Sequence, residues 1–262
     1  MDFIGYISWD ISPEIFRLGP VAVRWYGLLF ALGFVLGYNI MTKFFIKEKR
    51  PLKDLEALTI TMIIGTIIGA RLGHCLFYDP MYYLSNPIKI LKIWEGGLAS
   101  HGAAIGILIA LLFYIKKYPK YTMLWILDRV VIVVALAGFL IRLGNFFNSE
   151  ILGSVSSSPW AVVFARIDSL PRHPAQLYEA FAYLLIFVYL FRSYFKFDGK
   201  IPTGRFFGIF LILVFGARFI IEFFKEVQSA FEHSLPLDMG QLLSIPFVIA
   251  GIYFLIKSNK KE

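Results

Sequence analysis

The sequence predicts an all-α polytopic membrane protein with seven transmembrane helices, a small extramembrane cap between helices 4 and 5, and an N-terminal interfacial arm. Three observations carry this prediction. Of 262 residues, 58% are hydrophobic and 17% charged, and mean hydropathy is +0.69, whereas soluble domains carry about 25% charged residues. The apolar residues fall in runs close to the ~20 residues that cross a hydrocarbon core. Lys and Arg cluster in every second connection between the runs, the bias that orients a multi-spanning chain. The net charge of +8 thus serves orientation and anionic-lipid contact, and no nucleic acid is expected as a partner. One membrane domain is expected over residues 1–262.

Residues 1–20 form the arm, with Phe3, Tyr6 and Trp9 suited to headgroup depth. The arm has no basic leading region, and Pro13, Gly19 and Pro20 interrupt it, so it is not expected to be a cleaved signal peptide. The first span, Val21 to Phe45, opens with Arg24-Trp25-Tyr26-Gly27; Tyr26 is either an aromatic-belt anchor or a ligand contact. Lys43, Lys47, Lys49, Arg50 and Lys53 make the first basic loop. The second span, Leu55 to Phe77, has Gly65 and Gly69 four apart, a spacing for close helix packing. Arg71 and His74 share one face near its end. Cys75 is the single cysteine, which excludes an intrachain disulfide.

Tyr78 to Glu95 is an aromatic loop lying along the surface, followed by Gly96-Gly97-Leu98-Ala99-Ser100-His101-Gly102 at the start of the third span, about Leu98 to Tyr114. His101 is suited to proton transfer near neutral pH, and a helix-packing histidine is the competing reading. Lys116, Lys117 and Lys120 follow. The fourth span starts at Met123 and runs apolar to Ile141, then ends in Arg142-Leu-Gly-Asn-Phe-Phe-Asn-Ser-Glu-Ile-Leu-Gly153. Alone, Arg142 would be read as snorkelling to headgroups. It is not alone: Asn145 and Asn148 continue one polar stripe at steps of three.

Residues 150–172 form the outer-face cap, with Val162, Val163 and Phe164 a short strand. Pro171-Arg172-His173-Pro174-Ala175-Gln176-Leu177-Tyr178-Glu179 opens the fifth span, which runs to about Tyr194; Pro174 fits a first helical turn. Arg192, Lys196, Lys200 and Arg205 are the third basic loop. The sixth span, about Phe206 to Phe224, carries Arg218 and Glu222 four apart, the spacing of an intramembrane ion pair. After Lys225, Glu226 and an acidic loop, the seventh span runs from Met239 to Ile256, and Lys257, Lys260 and Lys261 follow.

Placing the basic clusters inside puts the N-terminus outside and the C-terminus inside. Tyr26, His101, Arg142, Asn145, Asn148, Glu150, His173 and Arg218 then all fall toward the outer leaflet. Two guanidinium forks at that depth match phosphate oxygens, and a histidine beside them can take a proton. That chemistry points to an enzyme acting on a phospholipid headgroup. A transporter would bring polar groups to the midplane and two related halves, and no internal repeat is present. A noncatalytic assembly subunit would account for Gly65 and Gly69 but not for the concentration of Arg, His and Asn.

The chain resembles the bacterial prolipoprotein diacylglyceryl transferase family over essentially its whole length. The resemblance rests on Arg142 to Gly153, on Gly96-Gly97 to His101-Gly102, on His173-Pro174 to Tyr178-Glu179, on Arg218 with Glu222, and on Met239-Gly240-Gln241. It implies a bacterial inner-membrane enzyme. The reaction implied moves diacylglyceryl from phosphatidylglycerol to the lipobox cysteine thiol of a preprolipoprotein and releases glycerol phosphate. Its partners would be phosphatidylglycerol, the preprolipoprotein lipobox segment and membrane lipid, with no cofactor and no metal. His101, Arg142 and Arg218 are the implied catalytic residues. Substrate contacts are implied for Arg142, Tyr26, Gly102, Asn145, Asn148, Glu150, Gly153, His173, Gln176, Tyr178 and Glu222. The chain departs from the family pattern at Ile141, where Gly is usual, at Lys225, where Arg is common, and at Val214 and Phe215, where a Tyr precedes the second arginine.

Overall fold

Each long apolar run folds as a helix. The computed structural model describes residues 5–19, 21–93, 96–226 and 236–259. Phe3, Pro20, Glu95, residues 227–235 of the acidic loop, Lys260 and Lys261 lie outside the described residues. Three short strands, β1 (Ile7–Trp9), β2 (Glu14–Leu18) and β3 (Val21–Arg24), precede α1 (Trp25–Lys47) and α2 (Leu52–Phe77). A short helix α3 (Pro80–Ser85) and a 3-10 turn (Pro87–Leu91) follow, then α4 (Ser100–Lys117) and α5 (Met123–Asn148). The chain continues through β4 (Val162–Phe164), β5 (Pro171–Arg172), α6 (Ala175–Lys196), α7 (Arg205–Glu222) and α8 (Met239–Asn259).

Among the described residues, six helices are long and apolar enough to cross a membrane: α1, α2, α4, α5, α6 and α8. The remaining long helix, α7, has 18 residues and carries Arg205, Arg218 and Glu222 within them. The start of the first predicted span is corrected. Val21 to Arg24 is not helical but pairs antiparallel with β2, because a short apolar run such as Val21-Ala22-Val23 satisfies a strand as well as a helix.

The chain divides into two compact units, Thr42–Ile126 and Met1–Met41 with Leu127–Glu262. In the first, α2 and α4 meet along a seam of small residues. A Cβ on Gly69 would lie 2.7 Å from Gly106 Cα, and one on Gly65 would lie 2.7 Å from Ala110 Cβ, so the backbones touch where side chains would separate them. Arg71 secures the following surface segment, donating to the carbonyls of Ile90 at 2.8 Å and Gly96 at 2.5 Å. At the opposite end of α2, Asp54 accepts from Tyr121 at 2.7 Å.

In the second unit, β1 runs parallel to β4, which pairs antiparallel with β5. Phe146, Val162 and Phe164 form the core beneath this sheet, with Trp9, Leu152 and Leu177 packed on it. Asp128 of α5, fully buried, accepts from the backbone N–H of Gly204 at 2.7 Å and Phe207 at 2.9 Å. A carboxylate is thereby placed on the N-terminus of α7, where helix dipoles favour negative charge. Gln241 caps α8 in the same spirit, its side-chain oxygen accepting from the Asp238 N–H at 3.2 Å.

Candidate active site

The last turn of α5 sets the geometry. Ser149 N–H reaches Phe146 O at 3.1 Å and Glu150 N–H reaches Asn145 O at 2.9 Å, the double closure of a Schellman cap. Ser149 takes the left-handed conformation this requires, with φ 55°, where glycine is usual. Ile151 follows at φ 57°, a strained value for a β-branched residue. These turns fold Glu150 back over the helix end. Asn145 Nδ2 donates to Glu150 Oε2 and Asn148 Nδ2 to Glu150 Oε1, both at 3.1 Å. Gln176 Nε2 of α6 donates to the Glu150 carbonyl at 2.6 Å.

Arg142 joins this cluster to α6 and α7. Its Nη1 donates to Asn145 Oδ1 at 3.1 Å, and its Nε lies 2.8 Å from Oε2 of the fully buried Glu179. The other oxygen of Glu179 is 3.0 Å from Lys225 Nζ, which is also 3.0 Å from Glu222 Oε2. The polar stripe predicted on α5 is thus one end of a continuous network through Glu150, Asn145, Arg142, Glu179, Lys225 and Glu222. The spacing-based pairing of Arg218 with Glu222 is corrected: Glu222 pairs with Lys225. The turn after α7, with Lys225 N–H on Glu222 O at 3.0 Å, brings the ammonium back to the carboxylate. Glu222 also lies against Gly240 at the start of α8, filling the space a side chain would take.

Arg218, among the described residues, has no carboxylate or hydrogen-bond partner, and its Nε is buried. Tyr183, buried on α6, lies within electrostatic reach of both arginines. Tyr26 packs across Gly144, where an added Cβ would lie 2.8 Å from its ring, and is close enough to Arg142 and Glu150 to feel both charges.

A second group of predicted residues lies under the cap. Tyr178 Oη accepts from Trp160 Nε1 at 2.7 Å and meets His173 Nδ1 at 2.9 Å. Gly153 is pressed between the backbones of His173 and Phe224; a Cβ there would lie 2.7 Å from His173 Cβ and 2.8 Å from Phe224 O. Gly153 also forms a β-bridge with Lys225, so this contact fixes the backbone that carries the ammonium. On the cap itself, Arg172 pairs with Asp168 at 2.6 Å and Glu226 at 2.9 Å. The hydrogen bond from Arg172 holds the Asp168 carboxyl below the usual range.

Two predicted residues belong to the other unit. His101 is exposed at the start of α4, its ring against Phe77 and Tyr78, with no hydrogen-bond partner among the described residues. Gly102 is buried in the seam between α2 and α4, where a Cβ would lie 2.7 Å from Gly73 Cα. Among the described residues no group of three or more His, Cys, Asp or Glu is placed to hold a metal ion.

Arg142, held by the Glu179 carboxylate and the Asn145 amide, and Arg218, whose Nε is buried, are the two guanidiniums that in the sequence pointed to an enzyme acting on a phospholipid headgroup. The family model for prolipoprotein diacylglyceryl transferase matches residues 13–257. The phosphatidylglycerol–prolipoprotein diacylglyceryl transferase of Chloroherpeton thalassium is 51% identical over 261 residues, covering 100% of this chain and 97% of its own. The enzyme of that name from Tolumonas auensis is 52% identical over 256 residues, covering 98% and 99%. That of Porphyromonas gingivalis is 45% identical over 275 residues, covering 99% and 97%. The chain belongs to the prolipoprotein diacylglyceryl transferase family.

Within this member of the family, sequence reading named Arg142, Asn145, Asn148, Glu150, Gln176 and Glu222 but not the groups that connect them. Glu179 stood inside a quoted motif, yet nothing local marks it as the partner of Arg142, which lies on another helix. Lys225 was noted only as a departure. Its signal was present in retrospect: a lysine just beyond an apolar helix, three residues after a glutamate, is placed to pair with it. Tyr183, five residues past Tyr178 in an apolar span, carried no distinguishing signal.

Proposed function

We propose that the protein transfers the diacylglyceryl group of phosphatidylglycerol to the lipobox cysteine thiol of a preprolipoprotein at a site built on Arg142 and Arg218. It is a diacylglyceryl transferase of lipoprotein maturation. The observation that carries the site is the state of the two guanidiniums: Arg142 is locked to Glu179 and Asn145, whereas Arg218 has no counter-charge among the described residues. A guanidinium whose buried Nε has no partner among the described residues is costly, and an anionic headgroup supplies what is missing.

In the transfer, the thiolate sulfur attacks the glycerol carbon bonded to the phosphate oxygen. The S–C bond forms, the C–O bond breaks, and its electron pair stays on the departing glycerol phosphate. Charge thus grows on the phosphate, where Arg218, with Arg142 beside Tyr183, stabilises it more in the transition state than in the ground state. The thiol, with a pKa of about 8.5 when free, must lose its proton to attack. His101 is the base on chemical grounds, an exposed imidazole whose ring nitrogens are unpaired among the described residues. Asn148 and Gln176 are held through their amide nitrogens, so each presents a carbonyl oxygen suited to headgroup hydroxyls. Tyr26, Gly153, His173 and Tyr178 complete the proposed lining.

The same reading makes α7 the seventh span and places the cap and the reaction at the outer leaflet of the bacterial inner membrane. The N-terminus is then outside and the C-terminus cytoplasmic. The basic residues after α1, α4 and α6 and at Lys257 support that orientation. The test uses purified protein, phosphatidylglycerol and a synthetic lipobox peptide, scoring thioether product and released glycerol phosphate. Product from wild type and none from Arg142→Ala or Arg218→Ala is expected. No product from folded wild type with several anionic phospholipids would overturn the reading.

A further inference from the structure

We infer that Lys225 is a positioning residue for the transfer reaction, its ammonium fixing the carboxylate that holds Arg142. The inference rests on the proposed function. Lys225 lies beyond the end of α7, with its side chain 4% exposed, between Glu179 at 0% and Glu222 at 10%. Its Nζ is 3.0 Å from an oxygen of each. Glu179 thereby faces a cation at each oxygen: Oε1 accepts a hydrogen bond from Lys225, and Oε2 is ion-paired with Arg142 Nε at 2.8 Å.

Stability alone does not explain this arrangement. Burying an ion pair costs desolvation that its mutual attraction only just offsets, and apolar replacements of whole buried clusters are often no less stable. Placement does explain it. The terminal torsion of a glutamate is broad, so a carboxylate tied at one oxygen swings. Tied at both, it presents a fixed edge to Arg142, whose Nη1 is aligned in turn by Asn145. Lys225 is itself fixed through its backbone, which bridges Gly153, and Glu222 is wedged against Gly240. Charge follows the same logic. Arg142, Lys225, Glu179 and Glu222 balance among themselves, which leaves Arg218, without a counter-charge among the described residues, for the headgroup anion.

The test compares wild type, Lys225→Met, Lys225→Arg and Lys225→Met/Glu222→Gln as purified full-length proteins with phosphatidylglycerol and lipobox peptide, reading kcat, KM and the thermal midpoint. Lys225→Met leaves two carboxylates for one cation and lowers the midpoint. The double variant removes the surplus carboxylate, so its midpoint returns toward wild type while Arg142 still lacks its fixed partner. Its kcat is expected to stay down about 10- to 100-fold, the scale set by small misplacements of a catalytic group, with KM for phosphatidylglycerol changed less than kcat. Lys225→Arg restores both ion pairs and is expected to be at least about fivefold faster than the double variant. The double variant decides the matter even where Lys225→Met does not fold. If its kcat recovers along with its midpoint, the role is structural and the inference fails alone. If wild type makes no thioether, the transferase reading fails and takes this inference with it.

Discussion

Arg142 Nε stands 2.8 Å from Glu179 Oε2, and the opposite oxygen of that carboxylate is 3.0 Å from Lys225 Nζ. Removing the two partners is therefore not equivalent. Arg142→Ala leaves Glu179 with Lys225, whereas Glu179→Ala leaves Arg142 without a carboxylate partner and Lys225 with Glu222 alone. Deleting one member of a buried pair costs about 3–5 kcal/mol, and we expect that cost for Glu179→Ala and a smaller one for Arg142→Ala. Thermal unfolding of the two variants in one detergent measures the difference; equal midpoints would contradict it.

With His101 as base, His101→Gln slows thioether formation by about 10²- to 10⁴-fold at neutral pH. The remaining rate then depends on the thiol ionising unaided. Below the free thiol pKa of about 8.5 it rises tenfold per pH unit, a slope the wild type lacks. Parallel pH–rate profiles for the two proteins would remove His101 from the proton transfer.

The small-residue seam between α2 and α4 makes a prediction about folding alone. Gly69→Val forces apart two backbones already in contact, an overpacking worth about 1–3 kcal/mol or more. Gly216→Ala on α7 meets nothing within 4 Å and serves as the control, with an unchanged midpoint. A Gly69→Val midpoint equal to the control would mean that the helices adjust freely.

On the cap, the bond from Arg172 depresses the Asp168 pKa in the folded state. A depressed carboxyl contributes stability that is complete above its unfolded pKa, about 3.9, and that fades as pH falls through the lower folded value. Asp168→Asn should therefore unfold earlier than wild type at pH 7, and the two midpoints should converge below about pH 4. A gap that persists at acid pH would assign the effect to something other than this ion pair.

The helices were legible in the sequence because each depends on its own apolar run, and Val162–Phe164 was legible as a strand because turn residues bound it. β1 was not, since three residues acquire a strand's hydrogen bonds only by finding β4. β3 was hidden because Val21-Ala-Val continues the apolar character of α1. The polar cluster was legible where its residues share one helix face at steps of three, as Arg142, Asn145 and Asn148 do. It was misread at Arg218 and Glu222, where helical spacing suggested a pair. An Arg one turn N-terminal to a Glu is the weaker order on a helix, and the fold offers Glu222 a lysine from the turn beyond. Contacts that join α5 to α6, above all Arg142 with Glu179, are set by packing that no local pattern encodes.

The parallel pairing of β1 with β4 has a bearing on how the molecule is made. Ile7–Trp9 are made before α1, yet their partners, Val162–Phe164, appear only after α5 has been synthesised. Until then the backbone donors and acceptors of β1 must be satisfied by water. The sheet therefore closes only after the helices between its strands have been synthesised, and its closure packs Trp9 against Phe146 at 4.3 Å, at the end of the helix that bears Arg142. Completion of the packing at the end of α5 that carries Arg142 thus waits on a strand made after that helix.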